Sequence, residues 1–492
     1  MNQADCTPVL VGIGVATRRE EDFTHALEPM DLMLEAVSAA GRDSTSTLAL
    51  AGAQYIAVPR GRWSYSNPAG AIAHATGAVN ATTVLTSVGV LQQTLIGEAC
   101  ARIARGEAHT TLVAGADAGY RLLRAQIAGQ PASERAQHDE PWGSPDIYLA
   151  PKDELRHAIE KRAGLHMPAG LYAIMESAYR ASQGWSLAEH RNRLAQLGER
   201  FSHIAADNPH AWQRSALDAA AIRDASQRNP MQAFPYTRAH CSTWNVDQAG
   251  ALLFCSAARA AQLGIPRSRW IYPVASTESN HMLPVSARQD LAACPGAGIT
   301  GRAALNAAGL TAQEIDLVDL YSCFPFAVEA YAQALGLSVT RALTVTGGMA
   351  FAGGPYNNYL FQATCRAAEL LRQGRGRTAL VSCVSGVLTK QGFGLWSVDP
   401  PPQGFLHADL SDAVAREMRA LEVLEQFTGQ ARVAGYTVLH GRGQAPRGVA
   451  LLDTPEGPRA MATTEDPALI ARMQASEFVG QQLPIEQNIL MP

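Results

Sequence analysis

A helix–turn–strand unit occurs twice in this chain. Residues 82–119 (TTVLTSVGVLQQTLIGEACARIARGEAHTTLVAGADAG) read as strand, tight turn, helix, Gly-containing turn and strand. Residues 362–386 (QATCRAAELLRQGRGRTALVSCVSG) read as the same helix, turn and buried strand. An offset of 268 residues aligns Gly106 with Gly374, Thr110 with Thr378, Leu112 with Leu380 and Val113 with Val381. It sets the turn at Gly89 opposite Asn357 and places DLVDLY (316–321) opposite LALAGA (48–53). Leu91, Leu95, Ala99 and Ile103 recur every four residues and make one apolar helix face. Such a chain is expected to be α/β, a duplicated pair of halves, each with its own mostly parallel sheet.

The rest of the chain hangs on that core. PVLVGIGVA (8–16) reads as a first buried strand and 54–58 as another, with a helix around 30–40. Residues 120–235 are polar and helical in pattern, an insert on the first half; the core resumes with NVDQAGALLFCSAARAAQLGI (245–265). After DPPPQG (399–404), residues 430–463 alternate strand-like runs with GRG, APRG and PEG turns, which predicts a small antiparallel, OB-like β domain. The expected divisions are 1–265, 266–405 and 406–492.

Composition excludes several classes. With 47% hydrophobic and 17% charged residues the chain has the makings of well-buried cores, and a net charge of −4 gives no footprint for nucleic acid. Eight cysteines form no CxxC pair, so neither a metal site nor a disulfide framework is expected. No run reaches the roughly 18 apolar residues of a membrane span. The start lacks a signal-peptide pattern, and a cytoplasmic protein is expected.

Ligands of parallel α/β folds gather where strands lead into helices. Four loops qualify: TSVGVLQQ (86–93), DLYSCFPF (319–326), TGGMAFAGGPYNN (346–358) and SCVSG (382–386). The first supplies the N–H groups of a helix N-terminus, and the third carries four glycines where backbone approaches closely. In order and spacing these loops resemble the active-site loops of the thiolase superfamily, over roughly residues 8–395. The DLYSCF loop, the GGxxxxGGP loop and the added β domain resemble the thiolase-like protein type 1 group, often described as acetyl-CoA acetyltransferases.

That resemblance implies the following roles. Counting back from Gly106-Glu107-Ala108, the nucleophilic cysteine position is Gly89; the histidine of Gly-His-Pro is replaced in Gly353-Gly354-Pro355; the Asn-Glu-Ala-Phe or His-Asp-Cys-Phe loop becomes Tyr321-Ser322-Cys323-Phe324; the acid/base cysteine is kept as Cys383, before Gly386. A thiolase needs a cysteine thiolate to take the acyl group, and glycine at 89 forbids it. The candidate catalytic residues are therefore Cys383, Tyr321 and Cys323, with Gly89, Gly347, Gly348, Gly354, Pro355, Tyr356 and Gly386 around the substrate. Cys383 and Cys323 read equally as packed core residues, and Tyr321 as a space-filling aromatic. Asp247 is expected to be structural. His157, His166, His240 and His281 lie where each reaches a cleft or fills a surface, and Arg60 and Arg62 beside Trp63 are the cations available for a phosphate. No cofactor is expected beyond a coenzyme A thioester as substrate or ligand. The partners are an acyl-CoA and either a second copy of the chain or a protein on the C-terminal domain. The implied activity is Claisen or retro-aldol chemistry without an acyl-enzyme, or silent binding and scaffolding.

Overall fold

The computed structural model of the chain describes residues 3–135 and 142–491. Residues 136–141, within the expected insert, lie outside the described residues. The duplicated halves each build a mixed sheet. In the first, the strand order is Pro8–Arg18, Asp247–Ser256, Thr110–Ala118, Tyr55–Pro59, Thr82–Thr86, Ile147–Leu149; Asp247–Ser256 runs antiparallel to both of its neighbours, while the last three pairings are parallel. In the second, the order is Leu317–Asp319, Thr378–Ser385, Lys390–Ser397, Tyr272–Ser279, Leu406–Asp409. Its third strand is again antiparallel to both neighbours. The central strands are apolar without alternation because both faces are covered.

Helices Gln92–Ala104 and Tyr359–Arg372 lie between the sheets, each packed on strands of both halves. Leu95, Ala99 and Ile103 are fully buried there, and truncating such a leucine costs about 2–5 kcal/mol. The helix starts are joined by a hydrogen bond from Leu360 N–H to Gln92 Oε1 at 2.8 Å, between residues 268 apart. The matched turn residues Gly89 and Asn357 both take positive φ, +103° and +55°. The duplication is therefore real in three dimensions.

One alignment within it is overturned. Residues 47–51 form a short helix, so they are not the counterpart of 316–321. Asp319 pairs with Val381 as Ala57 pairs with Val113, which makes Tyr55–Pro59 the equivalent strand. Six more residues separate strand from turn in the second half, and a constant offset cannot follow them.

The C-terminal sheet closes on itself. Strand Gly429–Leu439 pairs with both Arg447–Asp453 and Gln482–Glu486, and Arg459–Thr464 and Ile489–Leu490 complete a five-stranded barrel-like sheet. The sheet is extended by two strands of the insert, Met231–Ala233 and Tyr236–Thr237. Insert helix Pro168–Ser182 packs along Gly429–Leu439, where Ser177 Oγ accepts from Tyr436 N–H (2.8 Å) and the buried Arg180 pairs with Glu477 (2.8 Å). Leu406–Asp409 meanwhile pairs with Tyr272–Ser279, so the second-half sheet runs past residue 405. No described helix is long and apolar enough to cross a membrane.

Candidate functional site

A cleft of about 1400 Å³ opens where the four loops meet the insert and the C-terminal sheet. Of the sequence-predicted residues, Gly89, Tyr321, Cys323, Gly354, Pro355, Tyr356 and Gly386 line it; Cys383, Gly347 and Gly348 do not. Side chains at Gly347 and Gly348 would run into Ala205 (2.4 Å) and Phe201 (2.6 Å) on insert helix Leu187–Asp207. Those glycines serve close packing of helix on loop.

The wall built from the 86–93 and 346–358 loops lines the cleft but leaves no room for side chains at Gly89 or Gly354. A Cβ at Gly89 would lie 2.8 Å from Pro151 Cγ, and its φ of +103° suits glycine alone. A Cβ at Gly354 would lie 2.1 Å from Ser242 Oγ. Both obstructing side chains are outside the four loops. Pro151 follows the strand Ile147–Leu149, whose Leu149 carbonyl accepts from Ser87 N–H (2.7 Å). Ser242 N–H donates to the Cys323 carbonyl (3.0 Å), while Thr243 N–H and Gly354 N–H bind Met349 O (3.0 Å) and Thr243 O (2.9 Å). The chain leaving the insert is thus stitched between two core loops. Behind Gly89, the buried Lys390 donates from Nζ to the Gly89 carbonyl (3.1 Å).

The wall built from the 319–326 and 382–386 loops stays open. The buried Asp319 carboxyl accepts from Tyr359 OH (2.8 Å), Thr344 Oγ1 (2.8 Å) and the N–H groups of Val345 (2.9 Å) and Thr346 (3.1 Å). It ties the second and third loops together. Tyr321 N–H donates to Ser382 Oγ (2.8 Å), and its ring meets Tyr359 edge-on at 5.8 Å. Burial, with Cys323 and Cys383 nearby, raises the Tyr321 hydroxyl well above its usual pKa, so it is protonated at neutral pH.

The thiols are poor nucleophiles. Cys383 is fully buried, and burial pushes it up to about 12 although the N–H groups of Gln93 and Gln92 face it. Cys323 and Cys241, both on the cleft, are pushed up to about 12 for the same reason. None is a thiolate at neutral pH.

The remaining candidates separate cleanly. His166 lines the cleft. His157 caps a short helix (Nδ1 accepts from Ile159 N–H, 3.3 Å), His281 bonds the Met418 carbonyl (3.2 Å), and the buried His240 bonds Thr237. Asp247 accepts from Tyr120 and Arg121 N–H (2.9 and 3.0 Å), the structural role expected of it. Arg62 is held by Asp117 (2.5 Å) and Asn245 (3.3 Å).

Sequence reasoning missed Tyr172. It sits on insert helix Pro168–Ser182 within AGLYAIMESAYR, where an aromatic reads as core. The structure puts it on the cleft, with its hydroxyl buried against the Cys323 side chain. The rim contributed by the C-terminal sheet, with His440, Gln444 and Arg447, was equally invisible.

No protein-family model matches the sequence. Among solved structures, the chain is similar to a monomeric SCP2-thiolase like protein type 1 from Mycobacterium smegmatis, at 25% identity over 99% of each chain with a TM-score of 0.82. An Ltp2-ChsH2(DUF35) aldolase matches 81% of this chain and 99% of its own (18% identity, TM-score 0.61). An acetyl-CoA acetyltransferase from Syntrophomonas wolfei matches 80% and 99% (16% identity, TM-score 0.56). The chain has the fold of the thiolase superfamily, with the barrel-like sheet added.

Proposed function

We propose that the protein acts on acyl-CoA thioesters and makes or breaks a carbon–carbon bond without passing the acyl group to a cysteine. One observation carries the reading: the nucleophile and histidine positions are physically filled by Pro151 and Ser242, while a cleft of about 1400 Å³ remains open in front of Tyr321. In the condensing direction the Tyr321 O–H donates to the carbonyl oxygen under attack as the new bond forms. The thioester enolate oxygen takes hydrogen bonds from backbone N–H groups of the glycine loops. The name of the aldolase neighbour agrees with this chemistry.

A second reading is a silent thioester-binding or scaffold protein, and the burial of Cys383 favours it, since the acid/base cysteine of the thiolase pattern is shut away from the cleft. The first sheet's outer edge, Thr82–Thr86, is capped by Ile147–Leu149; we therefore favour a monomer, as the M. smegmatis protein is described, over a dimer through that edge. A protein partner would then sit on the C-terminal sheet. We place the protein in the cytoplasm, where eight free thiols stay reduced.

Calorimetric titration with CoA, acetyl-CoA and a long-chain acyl-CoA tests the reading. Micromolar binding of one thioester supports it, with turnover separating enzyme from scaffold; no binding across the panel defeats both thioester readings.

A further inference from the structure

We propose that Glu176, His190 and Glu329 hold a divalent transition-metal ion inside the insert, and that the ion clamps two insert helices to the core helix behind the cleft wall. The site stands apart from the thioester reading and uses none of the cysteines.

The three residues come from three helices: Glu176 from Pro168–Ser182, His190 from Leu187–Asp207 and Glu329 from Pro325–Leu335. One ligand atom of each lies within 4.8 Å of the other two. A small inward shift brings all three to the roughly 2.0–2.2 Å at which such an ion is bound. Glu176 and His190 are 0% exposed and Glu329 is 4% exposed. Carboxyls that deep are normally paired with a cation or bound to a metal. Among the described residues neither glutamate has a lysine or arginine in ion-pair range; Arg193 acts on Glu329 only from a distance and is itself paired with Glu189. Glu176 meets Tyr236 OH (2.6 Å), His190 Nε2 (2.8 Å) and Glu329, and the hydrogen bond of Glu329 is to the Glu176 carboxyl.

Two carboxyls that face each other in a core need a proton or a cation between them. The imidazole separates the two cases, because His190 Nδ1 is buried and bonds nothing. An imidazolium would balance Glu176 but leave a charged N–H unpaired, which costs more than the about 1–3 kcal/mol of a neutral group. A neutral ring that gives its Nε2–H to Glu176 leaves that carboxylate without a counter-charge. A divalent ion replaces both protons. It takes the Nε2 lone pair of a neutral ring, and its charge cancels the two carboxylates. An imidazole with two carboxylates suits zinc and its neighbours in the first transition row. The Tyr236 hydroxyl on Glu176 Oε2 supplies the outer hydrogen bond that orients a ligating carboxylate. None of the three residues lines the cleft, so the ion's work is structural. It reaches the cleft through Tyr236, whose ring stacks at 5.6 Å on the cleft residue Phe324.

Because the site is closed, the ion enters as the chain folds. The experiment unfolds the full chain in guanidinium with EDTA, then refolds it with and without Zn²⁺ or Co²⁺. Loose metal is removed before bound metal, absorption and melting temperature are read. The wild type is expected to keep about one ion per chain and to melt at a higher temperature with it. Its Co²⁺ form should show visible d–d bands without the near-ultraviolet charge-transfer band of thiolate ligation. Glu329→Gln has the shape of a protonated glutamate, so it preserves a proton-bridged pair and removes a metal ligand. It is expected to fold and to hold the ion at least about tenfold more weakly. A wild type that keeps no metal and melts unchanged after refolding in either ion overturns the site, a shared proton then being what joins the carboxyls. Wild-type affinity in Glu329→Gln, or a thiolate band, puts the metal elsewhere and overturns it as well. Should Glu329→Gln not fold, the metal content and Co²⁺ spectrum of the wild type decide alone.

Discussion

The two walls of the cleft have gone opposite ways. The wall carrying Gly89 and Gly354 is filled, with Pro151 and Ser242 standing where side chains at those positions would project. The wall carrying Tyr321 and Cys323 lines the cleft together with Tyr172 of the insert. Both obstructing residues come from chain outside the four core loops, and each leaves its glycine no room for a side chain.

The largest difference between the walls should appear in turnover. Tyr321→Phe removes the acid of the open wall and is expected to lower the rate on any converted thioester by roughly 10²–10⁴-fold, with no change in melting temperature; an unchanged rate would place the chemistry elsewhere. Acid should loosen the filled wall first. Burial lowers the His240 pKa to about 4, so the folded chain holds it neutral where the unfolded chain protonates it near its ordinary value of about 6.5. Its contribution is complete above that ordinary value and is lost as pH falls through the folded pKa, about 3 kcal/mol over the window. The raised carboxyls of Asp247 and Glu278 titrate over the same range with the opposite sign, so the His240 share is the difference in slope between the wild-type chain and His240→Gln in urea titrations from pH 7 to 4.

A smaller effect belongs to Gly89. Gly89→Ala forces a side chain into positive φ and against Pro151, and should cost about 1–3 kcal/mol in denaturant titrations. Pro151→Ala on the same background should recover the packing share of that cost and leave the backbone share. Cys383→Ala should matter least for activity. Its thiol is sealed from the cleft, so turnover should stay within about twofold while stability falls by about 1 kcal/mol for the small cavity; a hundredfold loss would restore Cys383 to the mechanism.

How far the sequence foretold this arrangement differs by element. The duplicated core was legible because helix, turn and strand recur at one spacing, and Gly89 and Asn357 even share the sign of φ. The strand Leu317–Asp319 was misaligned because six added residues break that spacing. Seven of the ten candidate residues reached the cleft, since loops at strand ends carry their positions with them. Cys383 did not, because strand alternation turned its thiol into the core beside Gly392. Nothing local marks Pro151 or Ser242 as plugs, and nothing local marks Tyr172 as more than a core aromatic. These are contacts between segments far apart in sequence, set by how the insert folds back and shares its strands with the C-terminal sheet.

Intact-mass analysis of the wild-type chain, quenched during incubation with acetoacetyl-CoA and acetyl-CoA and read beside the CoA products, distinguishes the two ways this fold can work. Chemistry at the open wall predicts CoA products with the mass of the protein unchanged throughout. An acetyl group mapped to Cys323, Cys241 or Cys383 during turnover would contradict the account, because it would mean that a buried thiol had replaced the one the filled wall forbids.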